Sequence, residues 1–297
     1  MAGQTVGLLH PGEMGASVGA VLVKQGHRVV WASAGRSARS RERAQKAGLE
    51  DAGSVDRLVQ LSDVIISVCP PHAARDVARS VAGFDGVFVD ANAVAPGTAR
   101  ELSEVVEAGG GKFVDGGIVG PPPRAAGTTR LYLSGSATSG VLDLFAGSAL
   151  EALVVSDEVG AASAVKMAYA AWTKGTAAML IAIRALARAE NVEELLLEEW
   201  RLSQPELVER SGAAARSADR KGWRWVAEME EIASTFAAAG LPDGFHRAAA
   251  EVFRRVEAGV RRCASRSSKA TSPRSRSTRS RTRPTTTSGW ARESQAR

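Results

Sequence analysis

The sequence is poor in cysteine and histidine, which limits the disulfides and metal sites that it can form. Cys69 and Cys263 are the only two cysteines among 297 residues, and they lie far apart in the chain. The four histidines show no metal-ligand spacing. This pattern predicts neither a disulfide framework nor a metal site, and it is typical of a reducing compartment. We therefore expect a cytoplasmic protein without a bound metal.

Long hydrophobic runs are also missing. No stretch of about 18 apolar residues occurs, so the sequence predicts no membrane-spanning helix. The first residues contain no basic region that leads into an apolar one, so we expect no secretory signal. The net charge of +6 comes from residues 261–297, which hold 11 Lys or Arg and one acid, against 27 basic and 31 acidic residues in 1–260.

The basic C-terminal stretch has almost no large apolar residues. From about Gly259 it consists of Ser, Thr, Arg and Pro, which cannot bury enough surface to fold. We predict a disordered tail over residues 259–297. An Arg/Ser-rich tail could bind nucleic acid, but Trp290 is its only aromatic residue and offers no series of stacking platforms. We therefore do not expect a nucleic-acid partner.

The first half of the chain alternates apolar runs with helical segments. Continuous apolar strands between helices indicate a parallel sheet that is covered on both faces. We predict a doubly wound α/β domain over residues 1–158, with its ligand site at the carboxyl ends of the strands. The predicted strands are Thr5–Leu9, His27–Trp31, Val64–Val68, Val87–Asp90, Lys112–Val114, Arg130–Leu133 and Leu153–Val155.

The second half is helical. Residues 160–191 contain no Pro and are rich in Ala, Leu and Met, which predicts one helix of about 30 residues that connects the two domains. We predict an all-α domain over residues 159–258, used for substrate binding and dimerisation. Because the long helix is apolar nearly all round, we expect a homodimer that buries it. Further helices are predicted at Glu193–Trp200, Pro205–Arg216, Trp223–Ala239 and His246–Val256.

The stretch "GLLHPGEMG", Gly7–Gly15, connects the first strand to the first helix. Gly12 would let a pyrophosphate approach the backbone, and Gly15 would let the helix pack closely. His10 replaces the usual first glycine, and Pro11 stiffens the turn. The alternative is a purely structural turn. We predict a dinucleotide site whose contacts include His10, Pro11, Gly12, Glu13 and Met14.

The segment after the second strand, "WASAGRSARSRER", bears on the type of dinucleotide. An NAD site usually has an acid there for the ribose hydroxyl, but this segment has none before Glu42. Ser33, Arg36, Ser37 and Arg39 offer hydroxyls and guanidinium groups instead, and arginine suits a 2′-phosphate. The alternative is that the arginines are solvated surface charges. We predict that NADP is preferred over NAD.

Lys166 is the only charged residue between Val159 and Thr173. A lysine in an apolar stretch lowers its pKa or finds a partner, and a lysine with a lowered pKa can act as a general acid or base. It could instead extend to water or form an ion pair. Tyr169, three residues later, could hold a substrate oxygen or pack in the core. Asn92 could orient the substrate and the nicotinamide ribose, or cap the following helix.

Taken together, these segments resemble the β-hydroxyacid dehydrogenases and their relatives, the 6-phosphogluconate dehydrogenases and imine reductases. The resemblance covers about residues 4–256, and the C-terminal half is similar to a phosphogluconate-dehydrogenase-like branch. It implies a Rossmann-type cofactor domain. The similar motifs are "GLLHPGEMG", "SVCPP", "DANAVAP", "VDGGIVGPP" and "GAASAVKMAYAAWTKG".

The resemblance also implies roles for particular residues. Lys166 would be catalytic, with Asn92 and Tyr169 beside it. Further cofactor contacts would be Val68, Cys69 and Pro70, and the substrate would meet Gly116, Gly117, Ile118 and Glu228.

Several positions depart from the family pattern, mostly in the substrate half. Tyr169 and Ala170 replace the asparagines after the lysine, Val119 replaces a serine, and Glu228 stands where an aspartate is usual. We therefore expect an NADP-dependent oxidoreductase that acts on a small hydroxyacid-type substrate. An NADPH-dependent imine reductase or a non-catalytic NADPH-binding sensor are the alternatives.

Overall fold

The computed structural model describes residues 3–270, with side chains described as far as residue 258. Residues up to 260 form one compact unit. The last helix, Gly244–Ala270, continues past residue 258, where the predicted helical domain ends. The rest of the predicted tail, 271–297, lies outside the described residues.

The centre of this unit is an eight-stranded sheet. Its strands are β1 (Thr5–Leu9), β2 (Arg28–Trp31), β3 (Glu50–Asp51), β4 (Val64–Ser67), β5 (Val87–Asp90), β6 (Lys112–Val119), β7 (Thr129–Ser134) and β8 (Leu150–Ser156). They lie in the order β3-β2-β1-β4-β5-β6-β7-β8. The chain leaves β1 towards one edge and returns to β4 on its other side, which creates the crevice where doubly wound sheets bind ligands.

The strands end in register at the edge that carries the site. Leu9 pairs with Ser67, Ser67 with Asp90, and Asp90 with Asp115, so the residues that follow these strands gather along one line. The strand pair β6–β7 is antiparallel, unlike the others. Only nine residues connect these two strands, and a parallel crossover needs a dozen or more.

Ten α-helices surround or follow the sheet in the part of the chain that the structure describes. The predicted long helix is present as α7, and the predicted helices over 205–216 and 223–239 are one continuous helix, α9. The helices are α1 (Glu13–Lys24), α2 (Ala38–Lys46), α3 (Val55–Leu61), α4 (Ala74–Arg79), α5 (Pro96–Ala108), α6 (Thr138–Leu144), α7 (Ala161–Ala189), α8 (Glu193–Ser203), α9 (Glu206–Ala238) and α10 (Gly244–Ala270).

Packing explains why α9 does not break. Within the stretch that the sequence treats as a gap, Ala218 is buried in the apolar cluster that α9 shares with α7 and α10. Met167 of α7, Ile232 of α9 and Phe253 of α10 share one apolar cluster. Two other clusters cover the faces of the sheet. No described helix combines the length and apolar character that a membrane crossing needs.

Candidate active site

The glycine turn after β1 has the backbone shape that a dinucleotide site requires, despite its histidine. His10 has a φ of 74°, the left-handed region that glycine favours, and so takes over the conformation of the missing first glycine. The Gly12 N–H donates to the carbonyl oxygen of His10 over 2.7 Å and tightens the turn. Helix α1 then begins at Glu13, with no side chain capping its first N–H groups.

Gly12 and Gly15 have different roles in this turn. A Cβ atom on Gly15 would lie 2.4 Å from the carbonyl oxygen of His10, so the helix could not pack where it does. A Cβ atom on Gly12 would meet only the same oxygen at 4.0 Å, so Gly12 faces open space. An uncapped helix start beside an open glycine can receive a phosphate. The turn therefore fits the pyrophosphate of a dinucleotide.

An open cleft of about 990 Å³ surrounds the turn, and we call it the outer cleft. Seven cationic and two acidic side chains line it, so it favours an anionic ligand. Both acids are paired, Glu13 with Lys221 at 3.2 Å and Glu42 with Lys46 at 2.7 Å. The arginines of this cleft, for which the described residues provide no acidic ion-pair partner, are Arg36, Arg39, Arg43, Arg220 and Arg224.

The predicted 2′-phosphate residues are only partly in this cleft. Arg36 lines it, whereas Ser33 and Ser37 are not among its lining residues. The Ser37 hydroxyl accepts from the Ser40 N–H over 3.2 Å and caps α2 instead. Arg39, which the prediction also named, and Arg43, which it did not, line the cleft as well. Arg39 and Arg43 lie one turn apart on α2, and Arg36 lies in the loop before this helix.

The imidazole of His10 also lines the outer cleft, and its Nδ1 atom is buried without a hydrogen-bond partner among the described residues. Burial, assisted by the nearby Arg36 cation, lowers the pKa of His10 to about 4. The ring is therefore neutral at physiological pH. Pro11, Glu13, Met14, Val68 and Pro70, which the sequence analysis names as cofactor contacts, also line this cleft.

A smaller cleft of about 320 Å³, the inner cleft, continues from the turn towards α7 and α9. Lys166 lines it, and its Nζ atom donates to the carbonyl oxygen of Ile118 over 2.6 Å. Desolvation lowers the pKa of Lys166 to about 8, with a further lowering by Lys174 and Arg224 that Glu228 opposes. Lys166 can therefore exchange a proton near neutral pH.

Asp115, at the end of the parallel part of the sheet, anchors the start of α7. One carboxylate oxygen accepts from the N–H groups of Gly160 at 3.0 Å and Ser163 at 2.9 Å, and the other accepts from the Ser163 hydroxyl at 2.6 Å. A carboxylate at a helix N-terminus is also favoured by the helix dipole. Asp115 thus fixes the helix that carries Lys166. The prediction did not single it out, because its partners are distant in sequence.

The glycines of β6 allow this close contact. A Cβ atom on Gly117 would lie 2.8 Å from the carbonyl oxygen of Ala162 and 3.0 Å from Cβ of Lys166. Gly116 approaches the backbone of β5 in the same way, with a Cβ 3.0 Å from the carbonyl oxygen of Asp90. Of the three predicted substrate residues in β6, only Ile118 lines the inner cleft. Gly116 and Gly117 instead let β6 pack closely against β5 and α7.

Glu228 lies in the inner cleft, but its carboxylate already has a partner. It forms an ion pair with Lys174 of α7, and the two side chains are only 9% and 14% exposed. Lys174 was not predicted, because only the packing of α7 on α9 brings it to Glu228. Tyr169 is 47% exposed and lines a neighbouring cleft with Lys166 and Trp172, not the inner cleft.

Asn92 is buried in the inner cleft, with its amide fully engaged by the protein. Its Oδ1 accepts from the Cys69 N–H at 2.5 Å, and its Nδ2 donates to Ser67 at 3.1 Å and to Asp90 at 2.5 Å. Asn92 therefore ties the loop after β4 to the loop after β5. Burial, with a contribution from Asp90, raises the pKa of the Cys69 thiol to about 12, so this cysteine is not a nucleophile.

Comparison with known proteins agrees with this architecture. Residues 5–144 match the NAD binding domain of 6-phosphogluconate dehydrogenase, and residues 187–256 match a family described as a domain of unknown function, DUF1932. An uncharacterized 28.5 kDa protein of Methanothermus fervidus is 29% identical over 167 residues. That match covers 55% of this chain and 63% of the length of the relative.

Solved structures share the fold over most of the chain. The conserved protein MTH1747, of unknown function and structurally similar to 3-hydroxyacid dehydrogenases, is 28% identical with a TM-score of 0.61, over 86% of this chain and 98% of its own. A 3-hydroxyisobutyrate dehydrogenase from Salmonella typhimurium is 18% identical, with a TM-score of 0.64 over 85% and 93%. A reductive aminase from Aspergillus terreus is 19% identical, with a TM-score of 0.55 over 90% and 95%. Residues 5–144 therefore form an NAD binding domain of the 6-phosphogluconate dehydrogenase type, and most of the chain shares the fold of these solved structures.

Proposed function

We propose that this protein is an NADP-dependent oxidoreductase that transfers a hydride between NADP(H) and a small hydroxyacid-type alcohol or carbonyl compound. The observation that carries the proposal is the position of Lys166. This lysine, with its pKa lowered to about 8, lines a cleft that adjoins the glycine turn and shares Glu13, Met14 and Val68 with the outer cleft. A proton-exchanging group and a dinucleotide cradle thus meet in one continuous depression.

The residues of the outer cleft fit a nicotinamide dinucleotide. The turn from His10 to Gly15 and the start of α1 would hold its pyrophosphate, and the loop with Val68 and Cys69 leads on to the inner cleft. When bound, the cofactor supplies or accepts the hydride. The chain itself must orient the reacting groups, exclude water and move the proton.

Arginines on α2 and in the loop before it favour NADP over NAD. Arg36, Arg39 and Arg43 line the outer cleft without acidic ion-pair partners among the described residues. The acid beside them, Glu42, is paired with Lys46. Guanidinium groups bind phosphate through two parallel hydrogen bonds. We therefore expect Arg36→Gln and Arg39→Gln to weaken NADPH binding and leave NADH binding unchanged.

Lys166 would serve as the proton carrier. In the reducing direction its ammonium form donates a proton to the developing alkoxide, and in the oxidising direction its neutral amine takes the hydroxyl proton. The Ile118 carbonyl holds Nζ in place from one side. Because Asn92 uses its amide within the protein, its role would be to position the loop that contacts the cofactor.

The test compares Lys166→Met with Lys24→Met, which replaces an exposed lysine of α1. We expect Lys166→Met to lower turnover by about 10²–10⁴, the usual effect of a general acid or base, without a change in NADPH affinity. Lys24→Met should behave as the wild type. Equal turnover in wild type and Lys166→Met would exclude this mechanism.

An imine reductase is the second candidate. The specific observation is the changed substrate half, where Val119 and Tyr169 replace the polar residues that the family resemblance predicts. Initial rates with NADPH and a cyclic imine, set against those with a β-keto acid, would separate the two activities. A sensor without turnover would bind NADPH tightly and oxidise it with neither compound.

We also propose a homodimer formed through the C-terminal helices. Large apolar side chains on one side of α7 are exposed, among them Trp172 at 66% and Leu186 at 64%. Met179 and Ile183 lie between them and are also exposed. A contiguous apolar surface of this kind is typical of an interface. Light scattering at micromolar concentration should give twice the chain mass, and a monomer would contradict this proposal.

A further inference from the structure

Helix α9 presents three cationic side chains to the glycine turn. Arg220, Lys221 and Arg224 all line the outer cleft together with the residues of the turn. Their spacing of one, three and four residues places them on adjacent positions of one helix face. These cations belong to the helical part of the chain, which lies outside the residues matched by the NAD-binding family model.

Among the described residues, only one of the three cations on this helix face has an acidic ion-pair partner. Lys221 pairs with Glu13, the first residue of α1, with Nζ 3.2 Å from the carboxylate oxygen. Arg220 and Arg224 have no acidic ion-pair partner within residues 3–258. The Nε atom of Arg224 is buried without a hydrogen-bond partner, although Arg224 lines both clefts.

Burying a guanidinium nitrogen without a partner is costly, so this arrangement favours an anion that enters the cleft. The pairing of Lys221 with Glu13 serves the same ligand. Glu13 would otherwise repel a phosphate at the start of α1, and Lys221 neutralises it. The anion must therefore lie between the turn and α9, within reach of both.

We infer that Arg220 and Arg224 bind the pyrophosphate of the dinucleotide from the side opposite the glycine turn, so that α1 and α9 hold it between them. This inference rests on the proposed nicotinamide cofactor. It assigns the pyrophosphate to α9 and leaves the 2′-phosphate to the arginines of α2. The two arginine groups therefore serve different phosphates.

The arrangement also links the cofactor to the proton carrier. The Arg224 cation lowers the pKa of Lys166. A phosphate on Arg224 would offset that cation and raise the pKa of Lys166, which keeps the ammonium form available for reduction. In the same helix, Glu228 reaches the inner cleft. Cofactor binding would thus adjust the proton affinity of the group that acts next to it.

The test measures the dissociation constants of NADPH and NADH by fluorescence titration, without substrate. We expect Arg224→Gln and Arg220→Gln to weaken both dinucleotides by about 10- to 100-fold, as expected for the loss of a charge-assisted hydrogen bond. Arg216→Gln, at an exposed position on the same helix that lines neither the inner nor the outer cleft, is the matched control and should change neither constant. Arg39→Gln should weaken NADPH alone.

Each outcome of the titrations leads to one conclusion. If Arg224→Gln and Arg220→Gln bind both dinucleotides as tightly as wild type, the inference is wrong, even if turnover falls. If they weaken NADPH but not NADH, these arginines bind the 2′-phosphate and the inference is also wrong. If the wild type binds neither dinucleotide, the proposed function itself fails. If Arg224→Gln does not fold, two other variants decide the question. They are Arg220→Gln, at an exposed position, and Arg224→Lys, which keeps the charge.

Discussion

The pH dependence of turnover should reveal the lowered pKa of Lys166. With a pKa of about 8 rather than 10.5, about nine-tenths of the side chain is protonated at pH 7 and about one-tenth at pH 9. Carbonyl reduction needs the ammonium form, so kcat/KM for reduction should fall about tenfold between these values. Alcohol oxidation needs the neutral amine, so its kcat/KM should rise about tenfold over the same range and level off above about pH 9. A lysine with an ordinary pKa would leave the reduction rate unchanged between pH 7 and 9, and its oxidation rate would still be rising at pH 9.

The assay is the initial rate of NADPH oxidation at low concentrations of both NADPH and substrate, so that the rate constant reports the cofactor-free protein, to which the pKa of about 8 applies. The same profile is measured for any residual activity of Lys166→Met, in which the change between pH 7 and 9 should vanish. A reduction rate that stays constant to pH 9.5 would refute the lowered pKa. A change near pH 8 that persists in Lys166→Met would assign it to another group.

Three further predictions concern the scaffold of the site. Asp115→Asn should lower the free energy of unfolding by about 1–3 kcal/mol, because weaker hydrogen bonds then hold the start of α7, and urea unfolding would show this; an unchanged midpoint would contradict it. Gly15→Ala should weaken NADPH binding tenfold or more, because its Cβ collides with the His10 carbonyl, whereas Gly140→Ala, with open space around it, should not. Burial raises the pKa of Asp90 to about 8, above its unfolded value of 3.8, so the folded state binds the extra proton and stability should fall as pH rises from about 4 to 8. Asp90→Asn should remove most of that slope in urea titrations, and an equal slope in both proteins would refute the assignment.

Local patterns in the sequence were enough to predict much of the fold. The apolar run before "HPGEMG", the long Pro-free segment and the isolated Lys166 each depend on neighbours along the chain. The structure has β1 and α7 where those patterns lie, and the pKa of Lys166 is lowered. The left-handed backbone of His10, with a φ of 74°, was not predicted from the sequence.

The remaining parts of the site depend on contacts between distant segments. Lys174 becomes part of the inner cleft only because α7 packs on α9 beside Glu228. Arg224 belongs to no local motif. Its proposed role depends on the glycine turn, which is distant in sequence and lines the same cleft. The reversal at β7 follows from the length of a loop, and the sequence pattern of a buried strand does not report strand direction.

Transfer of a deuteride from labelled NADPH tests the central claim most directly. The measurement is a single turnover with NADPH deuterated at C4 of the nicotinamide, a β-keto acid as acceptor, and mass analysis of the product. With wild type we expect deuterium on the carbinol carbon of the product. With Lys166→Met we expect the rate of transfer to fall by a factor of about 10²–10⁴ while the NADPH affinity is unchanged. Tight NADPH binding without any transfer, or equal rates in the two proteins, would contradict it.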